Sequence, residues 1–338
     1  MTSNRLSGPL ADVSGDAGYA GHPERVGFFT DTSVCIGCKA CEVACKEWNG
    51  LPDPDGDALT LTGMSYDNTS ELGSNAWRHV AFIEQGATSA RGGDPPSPPG
   101  RGAGPPGAPL PSARAGLPAV ADGTTVADVV TAVSSSADVI SAVMDDGDTG
   151  ATRWLMSSDV CKHCTHAACL DVCPTGALVR TEFGTVIVQP DVCNGCAYCV
   201  SACPFGVIDR REGDGRAWKC TMCYDRLRGG LEPACAKACP TDSIQFGPLD
   251  ELRAIAQTRL AELHEAGTTE ARLYGADPDD GIGGAGAFFL LLDEPEVYGL
   301  PPDPVVTTRD LPAMWRRAGV AAAMLAAGVA VAFAGRRP

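Results

Sequence analysis

The sixteen cysteines of this 338-residue chain fall into four quartets, and no cysteine stands outside them. Cys35, Cys38, Cys41 and Cys45 follow C-x2-C-x2-C-x3-C, and Cys161, Cys164, Cys169 and Cys173 follow C-x2-C-x4-C-x3-C. Cys193, Cys196, Cys199 and Cys203 repeat the first spacing, and Cys220, Cys223, Cys235 and Cys239 follow C-x2-C-x11-C-x3-C. Three thiolates on a tight loop can hold three corners of an iron-sulfur cubane, whereas a cysteine four residues further on lies about one helical turn away and points elsewhere. Two-cluster ferredoxins use that geometry, the fourth cysteine of each run serving the neighbouring cluster. Proline follows the fourth cysteine at Pro174, Pro204 and Pro240, as the bacterial ferredoxin run requires, while Lys46 takes that place in the first quartet. Zinc ribbons group their cysteines two and two and lack the Cys-Pro ending. A disulfide scaffold is a short chain, and these thiols are too close in sequence to bridge one another.

The elements that must carry these loops are set in a chain rich in loop formers, with 40 glycines, 26 prolines and only 6% aromatic residues. The net charge of −16 and the lack of a basic stripe argue against a nucleic-acid partner. Residues 1–25 are polar and Gly-rich, without a basic region followed by an apolar run, so neither a secretory nor a twin-arginine signal is expected there. Val26 to Thr30 reads as a strand entering the first cysteine loop, and the helix after it carries Cys45 and Trp48, with Trp48 read as packing. Trp77 to Glu84 reads as one strand, with His79 a strand-surface or hydrogen-bonded histidine rather than a ligand. Residues 86–118 form a Pro/Gly-rich tract that cannot order itself by apolar burial, and with 119–150 they read as an insertion.

Between the second and third quartets, ALVR and TVIVQ predict an antiparallel hairpin with Gly184 in its turn. His163 and His166 are candidate hydrogen-bond donors to cluster sulfurs, and Lys219, Arg226 and Lys237 are candidate cations to offset the charge of the fourth quartet. In residues 249–266 a packing helix is predicted, with Leu252, Ile255, Ala256, Leu260 and Leu263 on one face and Gly267 as its stop. GIGGAGAFFLLL places its apolar run after the glycines, which fails the dinucleotide fingerprint and reads as a buried strand. From Ala318 to Ala334 the chain has no charge, with Trp315 and Arg316-Arg317 before it and Arg336-Arg337 after it, and this predicts one transmembrane helix. Its glycines and alanines give a small-residue face for packing against partner helices, and basic residues on both sides give no orientation.

The segments CIGCKACEVACKEWN, CKHCTHAACLDVCPTGAL, CNGCAYCVSACPFGV and CTMCYDRLRGGLEPACAKACPTDSIQFG resemble the iron-sulfur (beta) subunit of respiratory formate dehydrogenases, within the four-cluster electron-transfer subunits of molybdopterin oxidoreductases. The tail LYGADPDDGIGGAGAFFLLLDEPEVYGLP followed by one helix resembles the formate branch. The resemblance implies a non-catalytic chain of anaerobic respiration with four 4Fe-4S clusters, ligated by Cys35, Cys38, Cys41 and Cys239; by Cys220, Cys223, Cys235 and Cys45; by Cys161, Cys164, Cys169 and Cys203; and by Cys193, Cys196, Cys199 and Cys173. It implies a molybdenum- or tungsten-pterin catalytic (alpha) partner, an integral membrane quinone-linked (gamma) partner, and a cell-membrane location with a single-pass anchor. The same relay in a hydrogenase or sulfur-compound reductase, and a free polyferredoxin, stay open as alternatives.

The expected fold class is α+β, built of tandem bacterial-ferredoxin-like dicluster modules with much loop and one C-terminal transmembrane helix. The expected divisions are a flexible arm (1–25), an outer module (26–85 with 205–248), the low-complexity insertion (86–150), an inner module (151–204), a helix and partner-docking tail (249–311) and a membrane anchor (312–338).

Overall fold

A computed structural model describes residues 12–52, 67, 69, 71–85, 153–306, 308, 309 and 311–334. Residues 1–11 and the expected insertion, 86–150, lie outside the described residues. The chain divides into two units, residues 1–83 with 155–338 and residues Glu84–Trp154. The first holds every cysteine, and all but four residues of the second are outside the described ones.

The core of the first unit is a four-stranded sheet whose two central strands, β1 (Val26–Asp31) and β10 (Ala287–Leu291), run parallel with Phe29 opposite Phe288. β8 (Ile244–Pro248) joins β1 antiparallel on one edge, and β9 (Arg272–Tyr274) joins β10 on the other. A central strand covered on both faces reads as a continuous apolar run, which is why AFFLL is buried at every position. Phe28, Phe29, Phe288 and Phe289 have no exposed surface, and each contributes roughly 1.5–3 kcal/mol by leaving water. Phe28 and Phe289 pack with Cys41, Cys45, Cys220 and Cys235, while Phe29 and Phe288 pack with the helix Leu249–Glu265.

Numbered in chain order, the helices are α1 (Ala40–Asn49), α2 (Ala168–Asp171), α3 (Tyr198–Ala202), α4 (Tyr224–Arg228), α5 (Ala234–Lys237), α6 (Leu249–Glu265) and α7 (Leu311–Ala334). α1 packs on α5, which joins the first quartet to the fourth, and α2 packs on α3, which joins the second to the third. α2, α3 and α5 each carry a cysteine and stop before a Cys-Pro pair, whereas Lys46 has a donor N–H and lets α1 run on for ten residues. Of the smaller strands, β2 (Arg78–Gln85) pairs with β3 (Arg153–Val160), β4 (Leu178–Arg180) forms the expected hairpin with β5 (Val186–Val188), and β6 (Asp209–Arg210) pairs with β7 (Ala217–Trp218). Gly184 sits at φ 75° in the hairpin turn.

Two expectations change. Ile255 is not on the packing face of α6: it is 46% exposed, because the buried stripe runs through Leu249, Leu252 and Ala256, with Leu260 and Leu263 partly covered, and Ile255 falls beside it. Residues 12–25, expected as part of a flexible arm, are docked, with Val13 and Ser14 buried and the Tyr19 hydroxyl donating to the Arg180 carbonyl at 3.1 Å. α7 has 24 residues, about 36 Å of helix against a hydrocarbon core of about 30 Å, and its apolar stretch Met314–Ala334 is wholly exposed, so it is no core helix of this unit.

Candidate metal centres

Each quartet opens with a C-x2-C loop whose residue before the second cysteine is left-handed: Gly37 (φ 64°), His163 (φ 45°), Gly195 (φ 73°) and Met222 (φ 56°). A positive φ there curls the loop so that successive N–H groups and thiols converge. At His163 and Met222 the backbone carries a cost that glycine avoids, so the surrounding fold must hold those two loops in place. The GIGGAG stretch takes part in that support, because a Cβ on Gly286 would lie 3.1 Å from the His163 carbonyl oxygen and one on Gly283 would collide with the His166 ring.

The loops bring the sulfurs together in sets of four. Cys35, Cys38, Cys41 and Cys239 line one cavity. Cys45, Cys220, Cys223 and Cys235 line a second. Cys161, Cys164, Cys169 and Cys203 line a third. Cys173, Cys193 and Cys196 sit close enough to Cys199 that, with burial, their charges push its thiol up to about 11. All sixteen cysteines are free of disulfides.

Burial raises most of these thiols. It pushes Cys41 up to about 11 and Cys220 up to about 12, and it holds Cys45, Cys164 and Cys169 well above the ordinary thiol range. Cys173 is the exception: burial alone would raise it, but the N–H groups of Leu178, Ala177 and Thr175 bring it below its ordinary value. Thiolates so disfavoured need a cation cage to exist, and a cluster of ferric and ferrous iron is one.

The donor sets fit such a group. Among the described residues no three His, Cys, Asp or Glu side chains close to the spacing of a single metal ion, and three of the sets surround a cavity between their sulfurs. Two buried donors that line the cavities also find no acceptor among the described protein atoms: Arg78 Nε at the second and His163 Nε2 at the third. His163 Nδ1 accepts from the Val186 amide at 3.1 Å, so the ring proton is on Nε2, a donor suited to a sulfur acceptor.

The other singled-out residues divide. His166 is absent from the lining of the third cavity. Of the three cations near the fourth quartet only Lys219 is buried among sulfurs. Lys237 is exposed and pairs with Glu232 at 3.2 Å, and Arg226 lies 4.2 Å over the Trp48 ring. Trp48 donates to Asp225 at 2.9 Å, a packing role, and His79 bonds Asp67 at 2.7 Å. Arg78 is not singled out by sequence reasoning; its one signal is a charge in the WRHVAFIE strand, next to the apolar positions of a buried face.

Residues 34–177 match a 4Fe-4S dicluster domain, and so do residues 152–249. The chain is therefore an iron-sulfur protein with tandem ferredoxin-like dicluster domains. It is 32% identical to the iron-sulfur subunit of the nitrate-inducible formate dehydrogenase of Escherichia coli strain K12, over 90% of this chain and 81% of that one. It is also 32% identical to the formate dehydrogenase iron-sulfur subunit of Haemophilus influenzae, over 84% of this chain and 71% of that one. The B subunit of the anaerobic dimethyl sulfoxide reductase of Escherichia coli is 30% identical over 68% of this chain and 76% of its own length. This protein belongs to the family of formate dehydrogenase iron-sulfur subunits.

Proposed function

We propose that this chain is the non-catalytic electron-transfer subunit of a formate dehydrogenase complex, taking electrons from a molybdenum- or tungsten-pterin catalytic subunit and passing them toward a quinone-linked membrane subunit. The observation that carries the reading is the grouping of sixteen free cysteines into four sets of four, three of them around separate cavities. A 4Fe-4S cluster in each set would accept and release one electron. The ligands would be Cys35, Cys38, Cys41 and Cys239 for the first; Cys220, Cys223, Cys235 and Cys45 for the second; Cys161, Cys164, Cys169 and Cys203 for the third; and Cys193, Cys196, Cys199 and Cys173 for the fourth. The first two centres belong to an outer module (26–85 with 205–248) and the last two to an inner one (151–204). The protein's part is to hold the thiolates apart at fixed spacing, seal them from water and supply compensating donors.

α7 is the anchor, and its alanine and glycine face offers close packing to helices of a membrane partner. The relay could equally serve a sulfur-compound reductase, for which the likeness to a dimethyl sulfoxide reductase subunit speaks, but that likeness spans 229 residues whereas the formate dehydrogenase likeness spans 309.

The test is anaerobic purification of the full complex from solubilised membranes. A molybdopterin subunit should co-purify, formate should bleach the iron-sulfur absorption, and a chain lacking 312–338 should appear in the soluble fraction with its iron retained. A chain with stoichiometric zinc in place of iron, or one whose centres formate leaves oxidised, would overturn the reading.

A further inference from the structure

Two cations are buried among the sulfurs with no carboxylate partner among the described residues. Arg78 is 2% exposed, and its guanidinium donates from Nη1 to the Ser158 carbonyl at 3.2 Å and the Ser158 hydroxyl at 3.3 Å, and from Nη2 to Cys235 Sγ at 3.1 Å. Ser158 Oγ in turn lies 3.2 Å from Cys41 Sγ. An unbroken chain of polar contacts thus runs from Cys41 at the first cavity, through Ser158 and Arg78, to Cys235 at the second. Because Ser158 accepts from Arg78, its own proton is free to point at Cys41.

Lys219 repeats the arrangement one junction further on. It is also 2% exposed and lines the third cavity, while its Nζ donates to the carbonyl of Cys220, a second-cavity residue, at 3.0 Å and to the carbonyl of Val186. Its ammonium faces the sulfurs of Cys161 and Cys169 of the third cavity and of Cys220 of the second. Among the described residues neither cation contacts an acidic side chain. A buried charge without a counter-charge is strongly disfavoured, so the anion that stabilises each of these is the sulfur cage beside it.

We propose that Arg78 and Lys219 are fixed cations at the junctions between successive centres, Arg78 between the first and second and Lys219 between the second and third, and that each raises the reduction potential of the centres on both its sides. This rests on the electron-relay reading above. Reduction adds negative charge to a centre, and a positive charge held beside it in a low dielectric favours that state. The second centre feels both cations. Among the described residues the fourth touches neither: what its cysteines receive instead is backbone N–H groups, among them Ala217 to Cys193 Sγ at 3.4 Å, and the Thr175 hydroxyl 3.7 Å from Cys173 Sγ.

The experiment is a potentiometric titration of the full chain in its complex, followed by paramagnetic resonance, with each centre assigned by the signal lost in Cys239→Ser, Cys223→Ser, Cys169→Ser or Cys196→Ser. Arg78→Gln should lower the potentials of the first and second centres, Lys219→Gln those of the second and third, and the double variant should move the second furthest. Arg78→Lys and Lys219→Arg, which keep the charge, should restore most of each shift. Ser158→Ala should lower the first centre alone, and it carries the test of the Arg78 junction if Arg78→Gln does not assemble.

Unmoved potentials in variants with full iron content would overturn the cation assignment and leave the relay reading standing. A shift confined to the fourth centre, or charge-keeping variants as displaced as the neutral ones, would overturn it too. A parent chain without four-iron signals would instead overturn the relay reading.

Discussion

The inner pair of quartets and the outer pair solve one problem by different means. The inner pair is local: Cys161 to Cys203 span a single stretch, α2 packs on α3, and the β4–β5 hairpin closes a small core of Ala167, Leu178, Val186, Val188 and Ile208 around them. The outer pair joins residues far apart in sequence, Cys35 with Cys239 and Cys45 with Cys220, and no hairpin brings them together. The central sheet does so: β1 leads into the first loop, β8 follows the last cysteine, and the two strands pair with Phe28 opposite Phe246. A module closed by long-range pairing has to gain more from burial, since loop closure is unfavourable until distant contacts form. The exposures agree in sum: Cys41, Cys45, Cys220, Cys223 and Cys235 of the outer pair are buried against Cys161 and Cys199 of the inner pair, although each pair has one exposed cysteine, Cys38 and Cys196. The cysteines of the outer pair thus rest on the central sheet and its core, while those of the inner pair lie mostly around the local hairpin core, with Cys161 reaching the main one.

Breaking one thiol in each module separates these two modes of assembly. Cys220→Ser should cost more than its own centre: Cys220 shares the core with Phe28, Val160 and Cys235, and the outer module depends on that core to close. Roughly half of the iron, at about four per cubane, should be lost, and the thermal unfolding transition should fall sharply. Cys193→Ser should remove one centre and leave the transition nearly in place. Iron content and circular dichroism melts decide it, and equal losses from the two variants would erase the distinction between core and appended module.

A smaller effect is expected when the sulfurs are left intact and the sheet is weakened. Phe28 has no exposed surface, lies 5.9 Å from the Phe246 ring and sits 4.9 Å beneath the Arg78 guanidinium. Phe28→Ala should destabilise the fold by about 3–5 kcal/mol. Chelator-driven iron release at moderate denaturant should then become faster for the outer centres and stay unchanged for the inner ones. Release that quickens equally in both modules would show that the sheet supports them alike.

The sequence is most legible where physics acts over a few residues. The quartet spacings, the β4–β5 hairpin, the strands β1, β2 and β10, and the long apolar helix α7 can all be read locally. Long-range terms are not legible. Nothing near Val26 signals that β1 lies parallel to a strand some 260 residues away, and nothing near Arg78 signals that its partner is Cys235. The glycines of GIGGAG could be excluded as a nucleotide loop from their order, yet their close approach to His163 and His166 is visible only once the two segments meet. Ile255 departs from its expected face for a related reason, since periodicity defines a stripe but the neighbouring sheet decides where its edge falls.

The least effect is expected from the largest change. The segment 86–150 separates the first quartet from the others, and the strands on either side of it, β2 and β3, pair with one another. Closure entropy grows by only about 0.6 kcal/mol for each doubling of loop length, so replacing 86–149 with a short Gly/Ser loop should slightly favour folding rather than oppose it. No cysteine lies in the segment, and Arg78 and Ser158 lie outside it. The deletion should therefore keep the full iron content, the unfolding transition and the four centre potentials of the parent, measured on the same complex. Loss of iron from the outer pair alone would mean that the segment helps to close the long-range module. Loss from all four centres would mean that the two modules are less separable than their packing implies.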